Sequence, residues 1–145
     1  MRHGNCNGHP EIRDYGDGPF LFDLHHAATM NENFRTTLWT GRDLQLTLMS
    51  IPVCGDIGAE MHDDVDQFLR VESGRATVYM GSCRSSLREQ ACVKEGDAIL
   101  IPAGTWHNIV NTGRCPLKLY SVYAPPQHPA GTVHRTKEDA QRMGH

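Results

Sequence analysis

Several features are scarce in this 145-residue chain, and each scarcity removes a class of protein. No segment approaches the roughly 18 apolar residues of a membrane-crossing helix. The longest run free of Gly and Pro, Phe20 to Thr40, is interrupted by Asp23, His25, His26, Glu32 and Arg35. Basic residues are not in excess: 14 Lys plus Arg stand against 17 Asp plus Glu, a formal charge of -3, so there is no field to hold a phosphate backbone and no nucleic acid partner is expected. The start, Met1-Arg2-His3-Gly4-Asn5, has no apolar signal core, so a cytoplasmic location with reduced thiols is expected. Cys6, Cys54, Cys83, Cys92 and Cys115 include no C-x2-C pair, which argues against a zinc knuckle or dithiol redox site and leaves them as buried or incidental. Internal repeats and low-complexity tracts are lacking too.

What is present reads as one domain. Hydrophobic residues at 39% and charged residues at 21% suffice for a single core. Fourteen Gly and eight Pro punctuate the chain at short intervals after position 40, leaving room for strands and not for long helices. Leu44, Leu46 and Leu48 alternate with Gln45, Thr47 and Met49, the period of a strand with one strongly apolar face. Gln67 to Glu72 and Arg75 to Met80, joined at Ser73-Gly74, read as a hairpin. Further strands are expected at Ala91 to Val93, Ala98 to Ile101, Asn108 to Val110 and Leu117 to Ala124. The pattern predicts an all-β antiparallel sandwich or barrel with short helical segments near the termini. Asp23 is placed to cap Leu24 to Met30, and Thr136 with Asp139 to start a short terminal helix. The expected division is an arm with a short helix over 1–40, a barrel over 41–124 and a tail over 125–145, with the first twenty residues a loose arm and Thr36 to Thr40 extended.

The strongest local signal is Gly96-Asp97-Ala98-Ile99-Leu100-Ile101-Pro102-Ala103-Gly104-Thr105-Trp106-His107-Asn108-Ile109-Val110-Asn111, where a strand runs into a Pro-x-Gly turn and a histidine opens the next strand. It resembles the second motif of the cupin family, G-x5-P-x-G-x2-H-x3-N, at every defined position. The family's first motif, G-x5-H-x-H-x3-4-E-x6-G, is matched with departures by Cys54 to Gly74: His62 holds the second histidine position and Gly74 the closing glycine. Glu60 stands at the first histidine position, Gln67 at the glutamate position and Cys54 at the opening glycine. The resemblance covers roughly Gly41 to Ala124 and implies a small single-domain cupin, a double-stranded β-helix, similar to short cupins often labelled mannose-6-phosphate-isomerase-like. No lysine cluster or glycine-rich loop supports a sugar phosphate in particular.

Glu60 and His62 are two apart, so on a strand both leave one face. With Gln67 and with His107 arriving from the far side, they would offer two imidazoles, a carboxylate oxygen and an amide oxygen to a divalent ion such as Mn, Fe, Ni or Zn. The charge of this set matches that of the usual three histidines and one glutamate, as though the carboxylate had changed places. The competing reading makes Glu60 a solvated turn residue, Gln67 a strand residue bonding across the barrel, and His62 and His107 polar residues of a metal-free pocket.

Weaker signals are placed by composition. Asp63, Asp64 and Asp66 are expected on an exposed rim, Trp39 and Trp106 in the core, and His25, His26, His128 and His134 at the surface. Tyr120 and Tyr123 differ in parity, so at most one faces the interior. No residue is assigned as catalytic. The resemblance implies a divalent-metal-dependent isomerase, lyase or dioxygenase acting on a small polar molecule such as a sugar or a hydroxy or carbonyl compound, or alternatively a non-catalytic binding or sensor module in the same pocket. No membrane partner is expected. A homodimer is, with Thr36 to Thr40 able to add a strand to a neighbour's sheet.

Overall fold

Short strands broken by turn residues dominate the chain, as the spacing predicts. The computed structural model describes residues 11–143. The elements are α1 (Leu24–Met30), β1 (Arg35–Thr40), β2 (Gln45–Ile51), β3 (Asp66–Ser73), β4 (Arg75–Gly81), a 3-10 turn (Arg84–Ser86), β5 (Arg88–Lys94), β6 (Ala98–Ile101), β7 (Trp106–Asn111), β8 (Leu117–Ala124), β9 (Val133–His134) and α2 (Lys137–Met143). A six-stranded sheet has the order β6-β3-β8-β2-β1-β9, and a three-stranded sheet the order β5-β4-β7. Their pairings are antiparallel.

The turn at Ser73-Gly74 does not make the expected hairpin. Strand β3 pairs with β6 and β8, and β4 with β5 and β7, so this turn carries the chain from one sheet to the other. Gly74 has φ +99°, and a Cβ there would sit 3.1 Å from the Pro116 carbonyl oxygen, so glycine is required by both conformation and space. Both helices start as the caps predict. The Asp23 carboxylate accepts from the His26 N–H at 3.0 Å, and the Thr136 hydroxyl accepts from the Asp139 N–H at 3.1 Å.

The register of the large sheet sorts its side chains into rungs. Gln45, Tyr123 and Gln67 lie side by side, followed by Thr47, Ser121 and Leu69, and then by Met49, Leu119 and Val71. Successive rungs are two residues apart, so all three face the same way. The third rung joins Ile51, Leu117, Val78 and Ile109 in one core shared by both sheets. The interior is therefore apolar at one end and polar at the other. The leucine face of β2 lies outside: Leu46 and Leu48 pack with Leu38, Ala27, Ala28, Tyr120 and Val122 beneath α1. Each such buried leucine contributes about 2 kcal/mol of transfer free energy, which holds α1 on the sheet.

The amino-terminal segment is not a loose arm over its described part. Tyr15 N–H donates to the Leu38 carbonyl at 2.8 Å, Trp39 Nε1 donates to the Gly18 carbonyl at 2.8 Å, and Tyr15, Phe20 and Phe22 stack in series. The first ten positions of the expected arm, and Cys6 with them, lie outside the described residues. Strand β1 pairs with β2 on one edge, while on the other β9 covers only Arg35 and Thr36, with the Thr37 N–H donating to the Thr132 carbonyl at 3.0 Å. The remaining cysteines, Cys54, Cys83, Cys92 and Cys115, are unpaired and exposed, so of the two expected alternatives, buried or incidental, they are not buried.

Candidate metal centre

The polar end of the barrel is where the two motifs meet. Residues 55–60 run along β7 as an irregular extra strand: Ile57 N–H donates to the Ile109 carbonyl at 3.1 Å and Asn111 N–H to the Gly55 carbonyl at 2.8 Å. Glu60 and His107 form an isolated bridge, and the Gly104 N–H reaches the His62 carbonyl at 2.8 Å. Each motif's turn is thus stitched to the other before any side chain is considered. Asn111 of the second motif has a structural role: its amide donates to the carbonyls of Ile51 and Cys115 and accepts from the Gly113 N–H. Cys54, at the family's glycine position, has φ +68°, the left-handed region that glycine favours.

Glu60, His62 and His107 come together, with one ligand atom from each lying within 4.8 Å of the others. His62 Nε2 and His107 Nε2 are each 3.6 Å from Glu60 Oε1, too long for hydrogen bonds. Both nitrogens are buried without a hydrogen-bond partner. Donors about 2.1 Å from one ion lie roughly 3.0 to 3.4 Å apart, so a small closure of this triangle accommodates a metal. The His107 ring is oriented from behind. Its Nδ1 lies 3.0 Å from the Thr105 carbonyl oxygen, which can only accept, so Nδ1 carries the proton and Nε2 keeps its lone pair for the centre.

Glu60 is ionised. Burial opposes this, but the imidazoles of His107 and His62 and the positive charge of Arg35 outweigh it and hold the carboxyl far below the usual carboxylate range. The solvated-turn reading of Glu60 therefore does not hold, since its side chain is only 17% exposed. Gln67 is 3% exposed on the inner face of β3, with its Nε2 donating to Ser121 Oγ at 3.2 Å and its Oε1 buried without a partner. It does bond across to β8, as the competing reading expects, yet the bond uses the amide nitrogen and leaves the amide oxygen over.

Five interior residues were not assigned to the site from sequence: Tyr123, His128, His134, Gln45 and Arg35. Tyr123 is wholly buried, its ring edge-on to His62 at 5.7 Å and to His128 at 5.2 Å. Burial raises its phenol above the ordinary value, so it stays protonated. Tyr120 lies on the opposite face, as parity requires. His128 and His134 are buried, not at the surface, because the tail folds back over the barrel. Gln45 accepts from the Gln127 and His128 N–H groups through Oε1 and donates to the His128 carbonyl through Nε2 at 2.7 Å, pinning that segment. Arg35 is 1% exposed, its Nη1 is 3.3 Å from His134 Nδ1, and its Nε has no partner. Arg35 shares a face with Thr37, which pairs with inward Thr47, although β1 is bulged between Thr37 and Trp39.

The remaining expectations divide. Asp63, Asp64 and Asp66 are exposed, and Asp66 accepts from the Ala103 N–H at 2.9 Å, bracing the Pro-x-Gly turn. Trp39 and Trp106 are only half-buried, and Trp106 walls a cavity of about 380 Å³ beside Glu60. His25 is at the surface, 3.0 Å from Glu72. No helix among the described residues is long and apolar enough to cross a membrane.

A two-sheet β-helix with histidines from two stitched turns at its polar end defines a small barrel of the kind that holds a ligand or an ion. The chain belongs to the cupin family: residues 47–123 match the model described as the cupin domain. It is 55% identical over 129 residues to the uncharacterized protein YrkC of Bacillus subtilis (strain 168), covering 89% of this chain and 69% of that protein. The crystal structure of BH2720 from Bacillus halodurans is similar with 56% identity and a TM-score of 0.89, over 90% of this chain and 99% of that one. KdgF from Halomonas sp. shares the fold at 20% identity and a TM-score of 0.54, over 64% of this chain and 80% of that one.

Proposed function

We propose that the protein is a divalent-metal-dependent enzyme of the isomerase, lyase or dioxygenase type acting on a small polar molecule. The observation that carries this reading is the convergence of His62 Nε2, His107 Nε2 and Glu60 Oε1, with both nitrogens buried and unpartnered. Leaving two imidazole nitrogens desolvated and unbonded costs free energy that an ion would recover. Glu60, His62 and His107 would hold the ion, with the amide oxygen of Gln67 as a fourth donor. When bound, the ion supplies Lewis acidity to a carbonyl or hydroxyl oxygen of the substrate. Mn, Fe, Ni and Zn are all compatible with an O/N donor set.

The chain's own residues set the surroundings. The Thr105 carbonyl fixes the His107 tautomer, Ser121 holds the Gln67 amide by its nitrogen, and the Tyr123 hydroxyl, kept protonated by burial, is available as a neutral hydrogen-bond donor. Metal analysis of protein purified without a metal-affinity step tests the reading. About one equivalent is expected, lost in His62→Ala and His107→Ala. Metal-free protein with no affinity for added ions would leave a binding or sensor module in the same pocket. We carry a homodimer in the same proposal, with Thr36 to Thr40 able to add a strand to a neighbour's sheet and light scattering at micromolar concentration as its measurement.

A further inference from the structure

We propose that the substrate is a small carboxylate and that Arg35 is the group that binds its carboxylate. The inference deepens the metal-enzyme reading of this pocket and rests on it. A guanidinium cannot shed its charge in a protein, so at 1% exposure Arg35 is a fixed buried cation. Buried cations are ordinarily matched by a carboxylate. Among the described residues no carboxylate is hydrogen-bonded to Arg35, and Glu60 faces it only through space: the one hydrogen bond of Arg35 goes to His134 Nδ1, which must act as acceptor because a guanidinium only donates. Its ring neighbour is Phe34, 5.3 Å away, and its Nε–H has no partner.

The cavity of about 380 Å³ is where that donor can be met. Arg35, Glu60, Met61, Arg84, Trp106 and Lys137 line it, so Arg35 and one member of the metal cluster, Glu60, border the same space. Lys137 is neutralised by Asp56, and Arg84 stands in the exposed 3-10 turn at the rim. Charge decides the class of ligand. Arg35 cancels Glu60, so a divalent ion on Glu60, His62, Gln67 and His107 would leave two positive charges in a poorly solvated space. A neutral sugar relieves neither, whereas a short hydroxy or oxo acid places its carboxylate on Arg35 and its other oxygen toward the cluster. Arg35 is then a specificity-determining residue for the proposed reaction.

Lactate and lactamide, which share a shape and differ in charge, are the probes. Calorimetric titration of each into the metal-loaded protein is expected to give lactate at least about tenfold tighter than lactamide, the advantage of a charge-assisted hydrogen bond over a neutral one. Arg35→Gln should abolish that preference while still binding the metal, and equal preference in wild type and Arg35→Gln would overturn the proposal. Because Arg35→Gln places an amide in a buried position and can fail to fold, the Arg35 Nε–H resonance is followed in wild-type protein by 15N NMR. It should move on adding lactate and not lactamide, and a resonance unmoved by lactate would overturn the proposal. A metal titration run alone separates the two ideas: absence of metal binding removes the enzyme reading, and the NMR arm on metal-free protein then decides Arg35 independently.

Discussion

Glu60 and His107 are bonded backbone to backbone in both directions, the Glu60 N–H to the His107 carbonyl at 3.0 Å and the His107 N–H to the Glu60 carbonyl at 2.9 Å. Such a doubly bonded antiparallel pair fixes the separation and direction of its side chains. The carboxylate and imidazole of the cluster are therefore set by a β-ladder, although one residue lies in the irregular segment between β2 and β3.

That rigidity makes Glu60→Gln a clean test of charge. Glu60 supplies the only negative charge among Glu60, His62, Gln67 and His107, and its removal leaves a neutral set around a divalent ion beside Arg35. Zinc affinity by calorimetry at one pH should fall at least about tenfold, since a lost charge interaction in a partly desolvated site exceeds 1.4 kcal/mol. Gln67→Glu should tighten binding. Equal affinities for wild type and Glu60→Gln would place Glu60 outside the shell.

Cys54→Gly should stabilise the protein. A left-handed conformation costs a non-glycine residue about 1 to 2 kcal/mol, against about 0.5 to 1 kcal/mol for glycine's greater unfolded-state entropy. The expected gain is up to about 1 kcal/mol, or about 3 °C in Tm. Calorimetric melting of both proteins checks it, with metal affinity unchanged because Cys54 is exposed and outside the cluster.

Gln45→Leu should loosen the tail. The substitution leaves the Gln127 and His128 N–H groups and the His128 carbonyl without their present partner in a largely buried place. A loss of about 2 kcal/mol or more is expected in urea unfolding. His128 should also gain solvent exposure, readable from the exchange behaviour of its ring in NMR. A loss below about 0.5 kcal/mol would mean that water replaces Gln45 at no cost.

Acid should destabilise the metal-free protein through three carboxylates. Burial opposes ionisation at each. At Asp14 the Thr40 hydroxyl and the Gly16 and Gly131 amides outweigh it, at Asp56 Lys137 and Asn108 do, and at Glu60 the flanking imidazoles do. All three are therefore depressed in the folded state, so the unfolded chain takes up protons first as pH falls. Their contribution is complete above the ordinary carboxylate range, near pH 5 and higher, and is lost progressively below about pH 4. Melting temperature measured from pH 7 to pH 3 should fall on the acid side, less steeply in Asp56→Asn.

Local rules determined a good deal of this protein. Leu117–Ala124 and Ala98–Ile101 are strands at the residues where alternation puts them, and Asp23 caps α1, because the strand period and a cap depend on neighbours along the chain. His62 and His107 were identifiable because they stand at histidine positions of segments that resemble the two cupin motifs. Other features needed contacts between distant parts of the sequence. Ser73-Gly74 has the composition of a hairpin, but only the pairing partners of β3 and β4 decide that it crosses between sheets. The leucine face of β2 is apolar whichever way it points, and only packing against α1 turns it outward and leaves Gln45 and Thr47 to line the interior. Arg35, His128 and His134 look like surface residues because charged and polar side chains favour water. What buries them is the return of the tail as β9 beside β1, a contact between chain segments about a hundred residues apart, which no local pattern encodes.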